Sequence, residues 1–123
     1  MSDRQDSPAL SRGDGVVSRL LHSKEDEPDT ELTVTWVEVE PGSEQVVHSH
    51  RPEQVYVVVA GEGRMHVGKE QRYVSAGDVV HIPPNAEHGI RNTSDETLEY
   101  VSAATPAFPP EQVREFYDGG GSA

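Results

Sequence analysis

The stretch from Gln54 to Arg91 reads QVYVVVAGEGRMHVGKEQRYVSAGDVVHIPPNAEHGIR, and it decides the fold. Residues 54–60 are almost all β-branched or aromatic and end at Gly61-Glu62-Gly63. Residues 64–67 end at Gly68, and residues 71–74 run into Ala76-Gly77-Asp78. Residues 79–82 stop at Pro83-Pro84, and residues 86–91 follow. Runs this short, rich in Val, Ile and Tyr and punctuated by Gly, Pro and Asn, are strands separated by tight turns. The pattern continues outward. Residues 16–21, 32–40, 45–50 and 98–103 are further strand candidates, with Pro41-Gly42 and Arg51-Pro52-Glu53 as breaks. Eight or nine close-spaced strands without a long helical period predict an all-β sandwich or closed barrel. Closure also removes the sheet edges that such short strands would otherwise expose.

The ends of the chain differ from this middle. Residues 1–14 mix Ser, Asp, Arg, Gln, Pro and Gly and are expected to form a disordered N-terminal arm. The folded domain is expected over residues 15–117. Within it, residues 110–116 are a short C-terminal helix candidate with Pro110 in the first turn. Residues 118–123, three Gly followed by Ser and Ala after Asp118, are expected to fray.

Composition excludes several function classes. The 123 residues fit one domain. Ten basic against 22 acidic residues give a net charge of −12, which disfavours nucleic acid and anionic membrane as partners. There is no Cys, so disulfides, iron–sulfur clusters, zinc–thiolate sites and Cys nucleophiles are absent. No stretch approaches the ~18 apolar residues of a membrane span. The start carries no apolar block of the signal-peptide kind, so the cytoplasm is the expected compartment. No P-loop, dinucleotide glycine pattern or Gly-X-Ser-X-Gly elbow occurs. The dense acids have two readings. One is a solvated surface that aids solubility. The other is a salt-rich cytoplasm, where salt screens the mutual repulsion. A fold no more stable in molar salt than in dilute buffer removes the second.

The histidines carry the chemistry. His48 and His50 are two apart, so in an extended strand both project from one face. Gln54 and Tyr56 continue the same parity if the kink at Arg51-Pro52 keeps register. Two imidazoles one strand repeat apart can converge on a cation. Singly, they read as exposed polar side chains. Downstream, Asn85 suits a turn that needs positive φ and delivers His88 into the next strand. Alternation turns His66 and His81 away from the core, and His22 carries no signal.

Spacing ties these groups together. Gly42 is followed by His48, His50, Gln54 and Gly61 with gaps of five, one, three and six residues. Gly77 is followed by Pro83, Asn85, His88 and Asn92 with gaps of five, one, two and three. Both patterns resemble the two signature motifs of the cupin superfamily, and the resemblance covers about residues 32–102. The 15 residues of the intervening segment, 62–76, are similar to those of compact single-domain cupins. The resemblance implies a small β-barrel of jelly-roll type (a double-stranded β-helix) holding one divalent transition metal: Fe, Mn, Ni, Cu or Zn. It implies His48, His50 and His88 as ligands, with Gln54 as the fourth. It also implies a small-molecule ligand or substrate and a homodimer.

Two positions depart from the family pattern. Asn85 stands where Gly is frequent, a mild change for the backbone reason above. Gln54 stands where Glu is usual. Glu53 is the alternative acid, but it is one residue short in spacing and on the opposite face by alternation; a bulge at Pro52 would reverse this. An amide in place of a carboxylate leaves the full divalent charge on the site. It strengthens Lewis acidity, gives no anionic support to a higher oxidation state and provides no general base. Tyr56, Tyr100 and Trp36 are candidate pocket residues, with core packing as the competing role. Three functions stay open: a metal-dependent dioxygenase or other oxidoreductase; a non-redox isomerase, cyclase, lyase or decarboxylase; and a non-enzymatic small-molecule or metal-binding module.

Overall fold

A computed structural model describes the backbone of residues 9–11, 15–48 and 51–109 and the side chains of residues 15–45 and 51–109. Among these, ten strands form: β1 (Ala9–Ser11), β2 (Val16–His22), β3 (Thr33–Val39), β4 (Glu44–His48), β5 (Glu53–Ala60), β6 (Glu62–Val67), β7 (Glu70–Ser75), β8 (Val79–Ile82), β9 (His88–Arg91) and β10 (Leu98–Thr105). One sheet has the order β1-β2-β3-β10-β5-β8 and the other β4-β9-β6-β7. Every pairing is antiparallel. From β3 to β6 the chain alternates between the sheets, and it does so again from β7 to β10. That crossing pattern wraps a jelly roll, the expected all-β architecture.

Alternation makes the core. In β3 the odd positions Thr33, Thr35, Val37 and Val39 are buried, while the even positions are half-exposed. Leu98 and Tyr100 on β10 and Tyr56 and Val58 on β5 share the inner face. From the smaller sheet, Met65, Val74 and Ile90 pack against them in one cluster. A second cluster, Leu20, Ala104 and Phe108, tethers the segment after β10. There Phe108 donates its backbone N–H to Thr33 Oγ1 at 2.9 Å.

The turns obey the expected chemistry. Asn85 adopts φ 65°, the left-handed conformation its position requires. Gly61 sits at φ 80°, and a Cβ there would stand 2.6 Å from the Thr97 carbonyl oxygen. Both φ and space exclude a side chain.

Two expectations change. Ala9–Ser11 was expected within a disordered arm, yet it pairs with Val17–Arg19 of β2 as the outermost strand. The open hydrogen-bonding edge of β2 supplies the partner, which the polar composition of this segment does not reveal. The strand expected over 86–91 begins at His88, because Pro83 to Ala86 closes a turn through the Ala86 N–H to Pro83 carbonyl bond. The helix expected over 110–116 and the tail at 118–123 lie outside the described residues, among which there is no helix. No helix among them is long and apolar enough to cross a membrane.

Candidate metal and ligand site

Gln54 is the second residue of β5 and is 1% exposed. Its register partners are Ile82 on β8 and Ala104 on β10, both inward-facing and buried. Its amide is anchored at one end, where Nε2 donates to Ser102 Oγ at 2.9 Å. The other end, Oε1, is a buried acceptor with no hydrogen-bond partner among the described residues. A buried carbonyl oxygen without a donor costs about 1–3 kcal/mol. Such an oxygen fits a cation, which satisfies a lone pair where no N–H is supplied.

His88 opens β9 on the opposite sheet and is fully buried. Its Nδ1 lies 3.0 Å from the Ala86 carbonyl oxygen. A carbonyl only accepts, so Nδ1 carries the proton and Nε2 carries the lone pair of the neutral ring. This orientation by a backbone carbonyl is the one that ligating imidazoles use. Across β4–β9, His48 is the register partner of His88, which brings their backbones side by side. The His48 side chain and all of His50 lie outside the described residues. Of the four expected ligands, Gln54 and His88 therefore have described side chains. Both point into the barrel, and both carry a lone-pair atom suited to a divalent metal.

The aromatic candidates divide. Tyr56 and Tyr100 are fully buried and stacked, with ring centroids 4.4 Å apart and planes 25° apart. The Tyr56 ring meets His88 edge-on, with centroids 5.9 Å apart. Tyr56 therefore walls the space next to His88, with Tyr100 stacked against it. Trp36 does not join them. It pairs with Val101 and Arg19 on the outer face of the larger sheet, between inward-facing Thr35 and Val37. Both alternating sets of β3 carry bulky β-formers, so periodicity alone does not orient this strand.

Glu53 faces outward, as parity requires, and its Oε2 lies 2.6 Å from His81 Nε2. His81 thus also points away from the core. Ser102 is the residue that the sequence reading missed. Alternation along β10 places it with Tyr100 on the inner face, but its role as the Gln54 anchor depends on a contact 48 residues away.

A cleft of about 170 Å³ opens between β7 and β8, floored by Met65, Val67, Val74 and Val80. Val67 is the register partner of His88, and Val80 of Tyr56. The cleft thus reaches the barrel wall beside both rings.

Comparison with known proteins gives a consistent set. A family profile described as the cupin domain matches residues 35–104, more than half of the chain. An uncharacterized protein of Methanocaldococcus jannaschii is 26% identical over 107 residues, covering 86% of this chain and 85% of its own. An oxalate-binding protein of Thermotoga maritima is 29% identical over 92 residues, covering 74% and 75%. Among solved structures, an RmlC-like cupin from Shewanella frigidimarina superposes with a TM-score of 0.76 at 26% identity, covering 87% of this chain and 90% of its own.

Proposed function

Since the chain belongs to the cupin family, we propose that it holds one divalent metal through His48, His50, Gln54 and His88 and binds a small carboxylate or enolisable carbonyl compound there. The observation that carries this reading is the buried, anchored amide of Gln54, whose Oε1 has no donor among the described residues. The oxalate-binding relative supports a compact oxygen-donor ligand. A divalent metal bound by neutral imidazoles and an amide oxygen supplies Lewis-acid polarisation of a ligand carbonyl or hydroxyl, with no ligand anion to favour oxidation.

The remaining roles belong to the chain itself. Ser102 holds the Gln54 amide so that Oε1 faces inward. The Ala86 carbonyl holds the His88 ring in the tautomer with its lone pair on Nε2. Tyr56 and Tyr100 form a rigid wall that excludes water from one side of the site. Gln54 has no titrating group, so any proton taken from a ligand goes elsewhere. The absence of an anionic ligand, rather than any proton transfer by Gln54, favours isomerisation, cyclisation, elimination or decarboxylation over dioxygenation.

Elemental analysis of protein purified without nickel resin is the direct test. The expected result is close to one divalent metal per chain, lost in a folded Gln54→Leu variant. Equal metal content in wild type and Gln54→Leu would remove the proposed ligand set. For the reaction, oxygen uptake over a panel of enediols, diketones and thiols is expected to be absent in the wild type and raised by Gln54→Glu. Uptake by the wild type would restore the oxidative reading. No turnover of any substrate by fully metallated protein would favour a binding module. Sedimentation equilibrium tests the expected homodimer.

A further inference from the structure

The outer face of the smaller sheet carries a feature that the interior site does not use. Register lines up Glu44 on β4, Arg91 on β9, Arg64 on β6 and Tyr73 on β7 in one row. Arg64 and Arg91 stand directly opposite each other, with Cα atoms about 4.5–5.5 Å apart for an antiparallel pair. Like charges in that position destabilise a sheet. The chain has only ten basic residues and a net charge of −12, yet two of those ten are set against each other. Inward or charged residues often guard exposed sheet edges. That explanation fails here, because β9 and β6 are the two central strands of this sheet.

The surroundings form a hollow. Gly89, which adds no side chain of its own, occupies the next outward position of β9, beside His66. A cavity of about 170 Å³ lies there, bordered by Glu44, Arg64, His66, Gln71, Gly89 and Arg91. Arg64 Nη2 donates to Gln71 Oε1, which fixes that guanidinium at the rim. His66 Nε2 hydrogen-bonds the Gly68 carbonyl, which fixes its ring on the adjacent side. The ion pairs among the described residues are Arg19–Glu38 and His81–Glu53, so neither Arg64 nor Arg91 is neutralised within them. Glu44 faces Arg91 across the β4–β9 register without forming an ion pair. Its charge opposes an anion in the hollow and leaves a monoanion with little gain.

We propose that this hollow is a binding site for a phosphate group, held between the Arg64 and Arg91 guanidinia. Two planar forks match the tetrahedral oxygens of a dianion, and its double charge outweighs Glu44. The site lies behind His88 on the other side of β9 and does not depend on the interior metal. Free phosphate and the phosphate of a small phosphorylated metabolite share this chemistry.

The test uses the full chain in low-salt buffer, with backbone amide NMR titrations of inorganic phosphate and glycerol phosphate against sodium chloride at matched ionic strength. Saturable shifts are expected at Arg64, Gly89 and Arg91 with either phosphate and not with chloride. Arg64→Gln and Arg91→Gln should each weaken binding about tenfold, the loss of one charge-assisted contact. Arg91→Lys should recover part of that loss, while Lys24→Gln on a distant loop should change nothing. Tighter binding of glycerol phosphate than of phosphate would assign a phosphorylated metabolite; equal binding would assign the phosphate group alone. Identical shifts with chloride, or an equal loss in Lys24→Gln, would reduce the effect to general charge screening and overturn the proposal. Because the two arginines repel, Arg64→Gln should melt no lower than wild type without phosphate and lose the phosphate-induced rise in Tm.

Discussion

The two ends of the larger sheet's inner face differ in how much polar side chain they bury. At one end the inward row is Val16, Val39 and Leu98, and the next is Ser18, Val37, Tyr100 and Val58. Two rows on, at the other end, Thr33, Ala104, Gln54 and Ile82 lie side by side. The row between them holds Leu20, Thr35, Ser102, Tyr56 and Val80. Valines and Leu98 fill the first end and make the core. At the second end, Thr35, Ser102 and Gln54 bring buried polar side chains to the inner face. Burying an amide oxygen without a donor costs stability, and a fold retains that cost where a ligand repays it. The comparison separates the apolar half of the barrel from the half that carries the residues of the proposed site.

Substitutions at the two ends should therefore behave differently. Leu98→Ala, in the apolar row, should lose about 2–5 kcal/mol in urea melts, as large-to-small core changes do. A loss no greater than that of Ser102→Ala would erase the distinction. Asn92→Ala comes next. Buried Asn92 donates from Nδ2 to the carbonyls of Val39 and Glu96 and accepts at Oδ1 from the Ser94 N–H and hydroxyl. Its removal leaves the Val39 end of the core unpinned and should cost about 1–3 kcal/mol in the same measurement. At the polar end, Ser102→Ala releases the Gln54 amide. Metal affinity in competition with a chelator should fall about tenfold, the usual effect of losing a group that orients a ligand. Unchanged affinity would show that the amide needs no anchor. The smallest effect is on folding by Gln54→Leu, whose free energy should stay within about 1 kcal/mol of wild type, because a buried acceptor with no donor among the described residues leaves with the amide. A loss as large as that of Leu98→Ala would make Gln54 a packing residue and sink the contrast.

Much of this was legible beforehand. The strand order along the chain, the turn at Asn85 and the outward direction of Glu53, His66 and His81 all follow from local rules. Each depends on neighbours a few residues away: period-two alternation, a left-handed turn position, a proline stop. Trp36 was misplaced for the same reason. Val34 and Trp36 form one alternating set of β3 and Thr35 and Val37 the other, and nothing local ranks one set as inward. Ala9–Ser11 escaped because its pairing comes from the free edge of β2 rather than from its own residues.

By itself, then, the sequence determined the class of fold, the turns and the parity of each strand, since these are set by backbone conformation over short range. The tertiary structure alone decided which strands became neighbours and, where both alternating sets are bulky as in β3, which face closed inward. That choice placed Ser102 against Gln54, set Tyr56 edge-on to His88, and opposed Arg64 to Arg91. Such contacts join residues far apart in the chain, and the free energy that selects them comes from closing the whole barrel at once.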